Sequence, residues 1–74
     1  MDMDASLIKN KEIRLIRLKD VMSKTGLPRS TIYHRMKDGR FPLNVSIGER
    51  TVAWVEQEII DWINSNLVNR KSAE

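Results

Sequence analysis

Residues 25–42, TGLPRSTIYHRMKDGRFP, hold two glycines, two prolines and a short amphipathic run between them. Gly26 closes whatever precedes it, because a glycine takes the left-handed conformation that ends many helices. Pro28 suits the first position of a new helix, where a missing N–H costs least. Ser30 and Thr31 fit a first turn. Ile32 and Met36 stand four residues apart, so they share one face and point inward. Gly39 stops the run and Pro42 forbids its return. The spacing predicts a helix over 29–38.

Upstream, Leu18, Val21 and Met22 fall at i, i+3 and i+4, which predicts a helix of about two turns ending at Gly26. Two short helices joined by a turn containing Gly make a helix-turn-helix. Leu15 to Leu18 reads either as a short strand or as an extended lead-in. Downstream, Val45 and Ile47 alternate with Ser46, and Thr51 to Val55 is strand-like. Gly48-Glu49-Arg50 lies between them as a compact reversal, so 45–55 reads as a β-hairpin. A lone hairpin is unstable in water and must lean on the helices, as a wing does. Val55, Ile59, Ile63 and Leu67 then recur every four residues, supported by Ile60 and Trp62. Glu56, Glu58 and Asp61 take the opposite side, where acids in a first turn favour the helix dipole. The fold class expected is mostly α: a winged helix-turn-helix with a two-stranded β-hairpin wing and a C-terminal packing helix. Residues 1–12 read as a flexible leader, 13–68 as the domain and 69–74 as a flexible tail.

A chain of 74 residues allows one domain with a thin core. It has no cysteine, hence no disulfide and no thiolate metal site. No stretch is apolar and long enough to span a bilayer. The opening MDMDASLIKNKE lacks the order of a signal peptide. These features point to a soluble cytoplasmic protein. The formal net charge is +3 and the pI near 9.6, which by itself says little. Its distribution says more. Lys24, Arg29, Arg35, Lys37 and Arg40 oppose only Asp38, whereas Glu49, Glu56, Glu58 and Asp61 oppose only Arg50. No catalytic site is expected. His34 is the single histidine, and no phosphate loop, nucleophile elbow or metal-ligand pair occurs. No cofactor or metal is expected either.

The helix at 29–38 is the candidate reading element. With Ile32 and Met36 inward, Ser30, His34 and Asp38 point most directly out. Thr31 and Lys37 lie beside them, and Tyr33 and Arg35 sit on the shoulders. Arg29 stands at the entrance. Hydroxyls, an imidazole and cations are the groups that meet base edges and phosphates when a helix enters a major groove. Arg50 at the wing tip suits a phosphate or minor-groove contact. Arg40 is expected to brace the backbone. Phe41, Trp54 and Trp62 read as core rather than as stacking platforms, since aromatics fill most of a core this small.

The ordered set of motifs resembles the AlpA family of phage and prophage regulators, small winged helix-turn-helix proteins related to MerR-like domains and phage excisionases. It consists of Arg17-Leu18-Lys19-Asp20-Val21, Thr25-Gly26-Leu27, Arg29-Ser30-Thr31-Ile32-Tyr33, Gly39-Arg40-Phe41-Pro42, Ile47-Gly48 with Arg50, and Trp54. The likeness covers about residues 14–63. It implies DNA binding through the second helix and the hairpin, in transcription, excision or both. Three positions depart from the family pattern. Pro28 stands where Ser commonly caps the helix, His34 where Arg is frequent, and Glu49 at a turn position often held by Gly.

The expected function is sequence-specific binding of double-stranded DNA by a transcriptional regulator. Its expected DNA contacts are Arg29, Ser30, Thr31, Tyr33, His34, Arg35, Lys37, Arg40 and Arg50. The alternative is an excisionase-like factor working with a site-specific recombinase (integrase). From another class comes a protein-interaction adaptor that uses the acidic face of Glu56, Glu58 and Asp61. A footprint this small predicts weak binding by one copy and cooperative self-association on DNA.

Overall fold

The computed structural model describes residues 13–70. Its elements are β1 (Leu15–Ile16), α1 (Leu18–Thr25), α2 (Arg29–Lys37), β2 (Val45–Gly48), β3 (Thr51–Val55) and α3 (Glu56–Asn69). The leader at 1–12 and the end of the tail at 71–74 lie outside the described residues, and α3 runs through Asn69. The winged helix-turn-helix is present. No helix among the described residues is long and apolar enough to cross a membrane.

Local chemistry explains the turn between α1 and α2. Gly26 has φ +77°, and its N–H donates to the Met22 carbonyl at 2.8 Å. The Thr25 hydroxyl donates back to the Val21 carbonyl at 2.8 Å and accepts from the Leu27 N–H at 3.2 Å. The chain therefore reverses without stranding the Leu27 amide, and Leu27 packs half-buried on the core. Pro28 sits at the N-cap, one residue before the helical position expected of it, and supplies no side-chain cap. Its carbonyl accepts from the N–H groups of Thr31 and Ile32, both at 3.1 Å. At the far end Gly39 has φ +75°. The Arg40 N–H returns to the Arg35 carbonyl at 2.8 Å and the Gly39 N–H to Met36 at 3.1 Å, a Schellman closure.

The sheet has one strand more than the hairpin expected from sequence. Its order is β1-β3-β2, antiparallel throughout, with Leu15 opposite Val55 and Ile16 opposite Trp54. The extended lead-in is thus a two-residue strand, completed where the Glu56 N–H donates to the Arg14 carbonyl at 2.8 Å. Between β2 and β3 the register slips after Ser46, leaving Ile47 as the extra residue before Gly48 meets Thr51.

The core comprises Ile16, Val21, Ile32, Phe41, Trp54 and Ile59. Each element except β2 contributes, β3 with the fully buried Ala53 beside Trp54, and Phe41 comes from the loop. Ile32 is fully buried and Met36 half-buried, as the i, i+4 reading requires. Two indoles hold the irregular segment after α2. Trp54 Nε1–H donates to the Pro42 carbonyl at 3.2 Å and Trp62 Nε1–H to the Arg40 carbonyl at 3.0 Å. Phe41 meets Trp62 edge-on with centroids 4.8 Å apart. Leu67, read as part of the inward face of α3, is instead 51% exposed, because the body ends before the apolar repeat does.

Candidate nucleic-acid interface

The α2 helix is held from beneath by Ile32, and this fixes which side chains face out. Arg29, Ser30, His34 and Lys37 are exposed, while Thr31, Tyr33 and Arg35 are half-buried. Arg40 follows the Schellman turn, and Arg50 stands exposed at the hairpin turn. The structure thus brings Arg29 through Arg40 onto one helix and its exit, with Arg50 on a separate element.

Their surroundings differ in ways that matter for charge. The Arg29 guanidinium lies over the Tyr33 ring, 5.0 Å from its centroid, and that ring meets Trp54 edge-on at 6.1 Å. Tyr33 is therefore a platform tying the helix entrance to the core, with Arg29 splayed on its outer face. At the other end Asp38 Oδ2 accepts from Arg40 Nη2 at 3.1 Å and lies 3.5 Å from His34 Nε2. One carboxylate thus gathers the imidazole and a guanidinium. Among the described residues Arg29, Arg35, Lys37 and Arg50 have no carboxylate within ion-pair distance. These four cations, unpaired among the described residues, suit an anionic ligand.

The wing tip carries backbone strain. Arg50 has φ +57°, so the left-handed residue of the turn is the cation itself and not Glu49. The Thr51 hydroxyl donates to the Glu49 carbonyl at 3.1 Å and steadies the reversal.

Of the α3 acids in the adaptor reading, Glu58 has no cation partner among the described residues. Glu56 lies 3.6 Å from Lys24 Nζ and 3.9 Å from Arg14 Nη1, and Asp61 accepts from Gln57 Nε2 at 2.9 Å. Sequence reasoning missed Arg17 as a wing residue. Its exposed Nε–H donates to the Val52 carbonyl at 3.1 Å, tethering the start of α1 to β3. The Arg17 N–H also donates to Asp20 Oδ2 at 3.4 Å, but no spacing links residue 17 to residue 52.

Residues 14–67 match the family described as the prophage CP4-57 regulatory protein AlpA. The chain is 41% identical over 58 residues to uncharacterized protein ORF88 of Enterobacteria phage P4, a match covering 78% of this chain and 66% of that protein. It is 36% identical over 58 residues to the DNA-binding transcriptional activator AlpA of Escherichia coli K12, covering 70% of this chain and 83% of that protein. The chain thus spans just under two thirds of the length of the phage P4 relative.

Proposed function

The chain belongs to the AlpA family of prophage regulators, and from that premise we propose that it is a sequence-specific, duplex-DNA-binding transcriptional regulator acting in the cytoplasm. The observation that carries the reading is the outward face of α2, where Arg29, Arg35 and Lys37 lack carboxylate partners among the described residues. Support for a regulator ahead of an excision factor comes from the E. coli relative, which is named a transcriptional activator.

In this reading α2 lies in the major groove. Ser30, Thr31 and His34 face base edges, Arg29, Arg35 and Lys37 meet bases or phosphates, and Tyr33 meets the backbone from its shoulder. Arg40 braces the backbone, and Arg50 reaches a phosphate or the minor groove from the wing. Each phosphate contact releases counterions, so binding must fall steeply with salt.

Titration with a generic duplex tests the class. With about four to six phosphate contacts, affinity drops by about two to three orders of magnitude between about 50 and 200 mM salt. Absence of binding at the lower salt overturns DNA binding. Selection from a randomised duplex pool tests the reading face. The double substitution His34→Ala with Arg35→Ala abolishes the preferred motif while circular dichroism stays native. A retained motif overturns the assignment of α2.

A further inference from the structure

The apolar repeat of α3 outlasts the core. Ile59 is buried and Ile60, Trp62 and Ile63 are half-buried, but every residue from Asn64 to Arg70 is exposed. Leu67 and Val68 are 51% and 81% exposed, and the cation Arg70 follows them. At 1.5 Å per residue, this overhang is about 9 Å of helix whose side chains are all exposed. Two exposed aliphatics are ordinary on their own. They become informative because the same chain carries a matching receptor.

That receptor is a shallow groove of about 990 Å³ between the exit of α2 and the side of α3. Leu43, itself 64% exposed, and Trp62 supply apolar surface. Glu58 and Asp61 form one wall, and Lys37 and Arg40 the other. Arg40 is turned onto Asp38 at 3.1 Å, so its charge is compensated, whereas Lys37 on the α2 side has no carboxylate partner among the described residues. Glu58 has no cation partner among the described residues. The α3 side of the groove is therefore acidic beside an apolar floor. The overhang is apolar and then basic.

We infer that the groove receives the C-terminal end of α3 from a second copy of this chain. Leu67 and Val68 cover Leu43 and Trp62, and Arg70 meets Glu58 and Asp61. The overhang cannot fill the groove of its own chain, because receptor wall and overhang belong to one continuous helix. The contact joins two different patches, so copies add head to tail and do not close as a symmetric pair. So small a contact is weak in free solution, and copies on one duplex gain from their raised effective concentration. The inference does not rest on the DNA-binding reading, since it is tested without DNA.

The test uses the full chain and two variants. One variant, Glu58→Lys with Asp61→Lys, has a dead groove. The other, Leu67→Gln with Val68→Gln, has a dead overhang. In sedimentation velocity at low salt and up to about 1 mM, the range for weak contacts, the natural chain forms a growing series of species. Each variant alone associates at least tenfold more weakly. Their equimolar mixture stops at a heterodimer, because it pairs one working groove with one working overhang. In that mixture the Trp62 indole N–H and the Leu43 amide of the labelled dead-overhang variant shift on titration. Circular dichroism checks both folds, and Leu43→Gln replaces the charge reversals if these unfold the chain. A natural chain that stays monomeric, a mixture that stays monomeric, or a closed dimer that the variants leave intact overturns the inference.

Discussion

Arg50 shows how one residue answers to two demands. A left-handed backbone costs a residue with a Cβ about 1–2 kcal/mol, and Arg50 adopts one at φ +57°. Glycine there removes that cost but adds about 0.5–1 kcal/mol of chain entropy. Arg50→Gly is therefore expected to raise the melting temperature by a few degrees. The same change removes a wing-tip cation. Affinity for any duplex should fall, and the salt slope should shrink by about one contact. Thermal melts and salt titrations read the two effects separately, and opposite signs are the expected signature. His34 was legible as outward from its place on the helix, and Ile32 as inward. The grip of Asp38 on both Arg40 and His34 was half legible. An i, i+4 spacing puts His34 near Asp38, but Arg40 comes back to Asp38 only through the Schellman turn.

At the scale of elements, the turn from α1 to α2 rests on the Thr25 hydroxyl as much as on Gly26. Thr25→Val keeps the shape and removes both hydrogen bonds. It leaves the Leu27 N–H unsatisfied in a half-buried place, which costs about 1–2 kcal/mol. The melting temperature should fall by about 4–8 °C for each kcal/mol in a domain of this size. A shift within error would show that water replaces the hydroxyl. The two helix stops were legible because glycine acts through its own dihedrals. The strand β1 stayed open between strand and lead-in, since two residues carry no periodicity. Pairing of Leu15 with Val55 and Ile16 with Trp54 makes it a strand, and those partners lie about forty residues away. The end of α3 misled for the opposite reason. Its apolar repeat is regular through Leu67, but repetition says only which face a residue is on, and not whether anything lies against it.

For the whole molecule, the margin is narrow. At about 0.05–0.15 kcal/mol per residue, a chain of 74 residues is stable by about 4–11 kcal/mol. Trp54 is fully buried, meets Tyr33, and holds the Pro42 carbonyl. Truncating a buried Trp costs about 3–5 kcal/mol. Trp54→Ala should consume most of the margin and lose its near-ultraviolet dichroism and DNA binding together. A native denaturation midpoint would show that Phe41 and Ile59 suffice.

The sequence by itself determined the two short helices and their stops, the hairpin, the inward faces and the cationic outward face of α2. Each of these follows from dihedral preference or periodicity over a few neighbouring residues. Only the tertiary structure decided the third strand and the tethering of Arg17 to the wing. It also seated Arg29 on Tyr33 and Tyr33 on Trp54, and it left Leu67 and Val68 in the open. Those features depend on groups brought together from distant parts of the chain, or on where the packed body ends, and neither is written in local spacing.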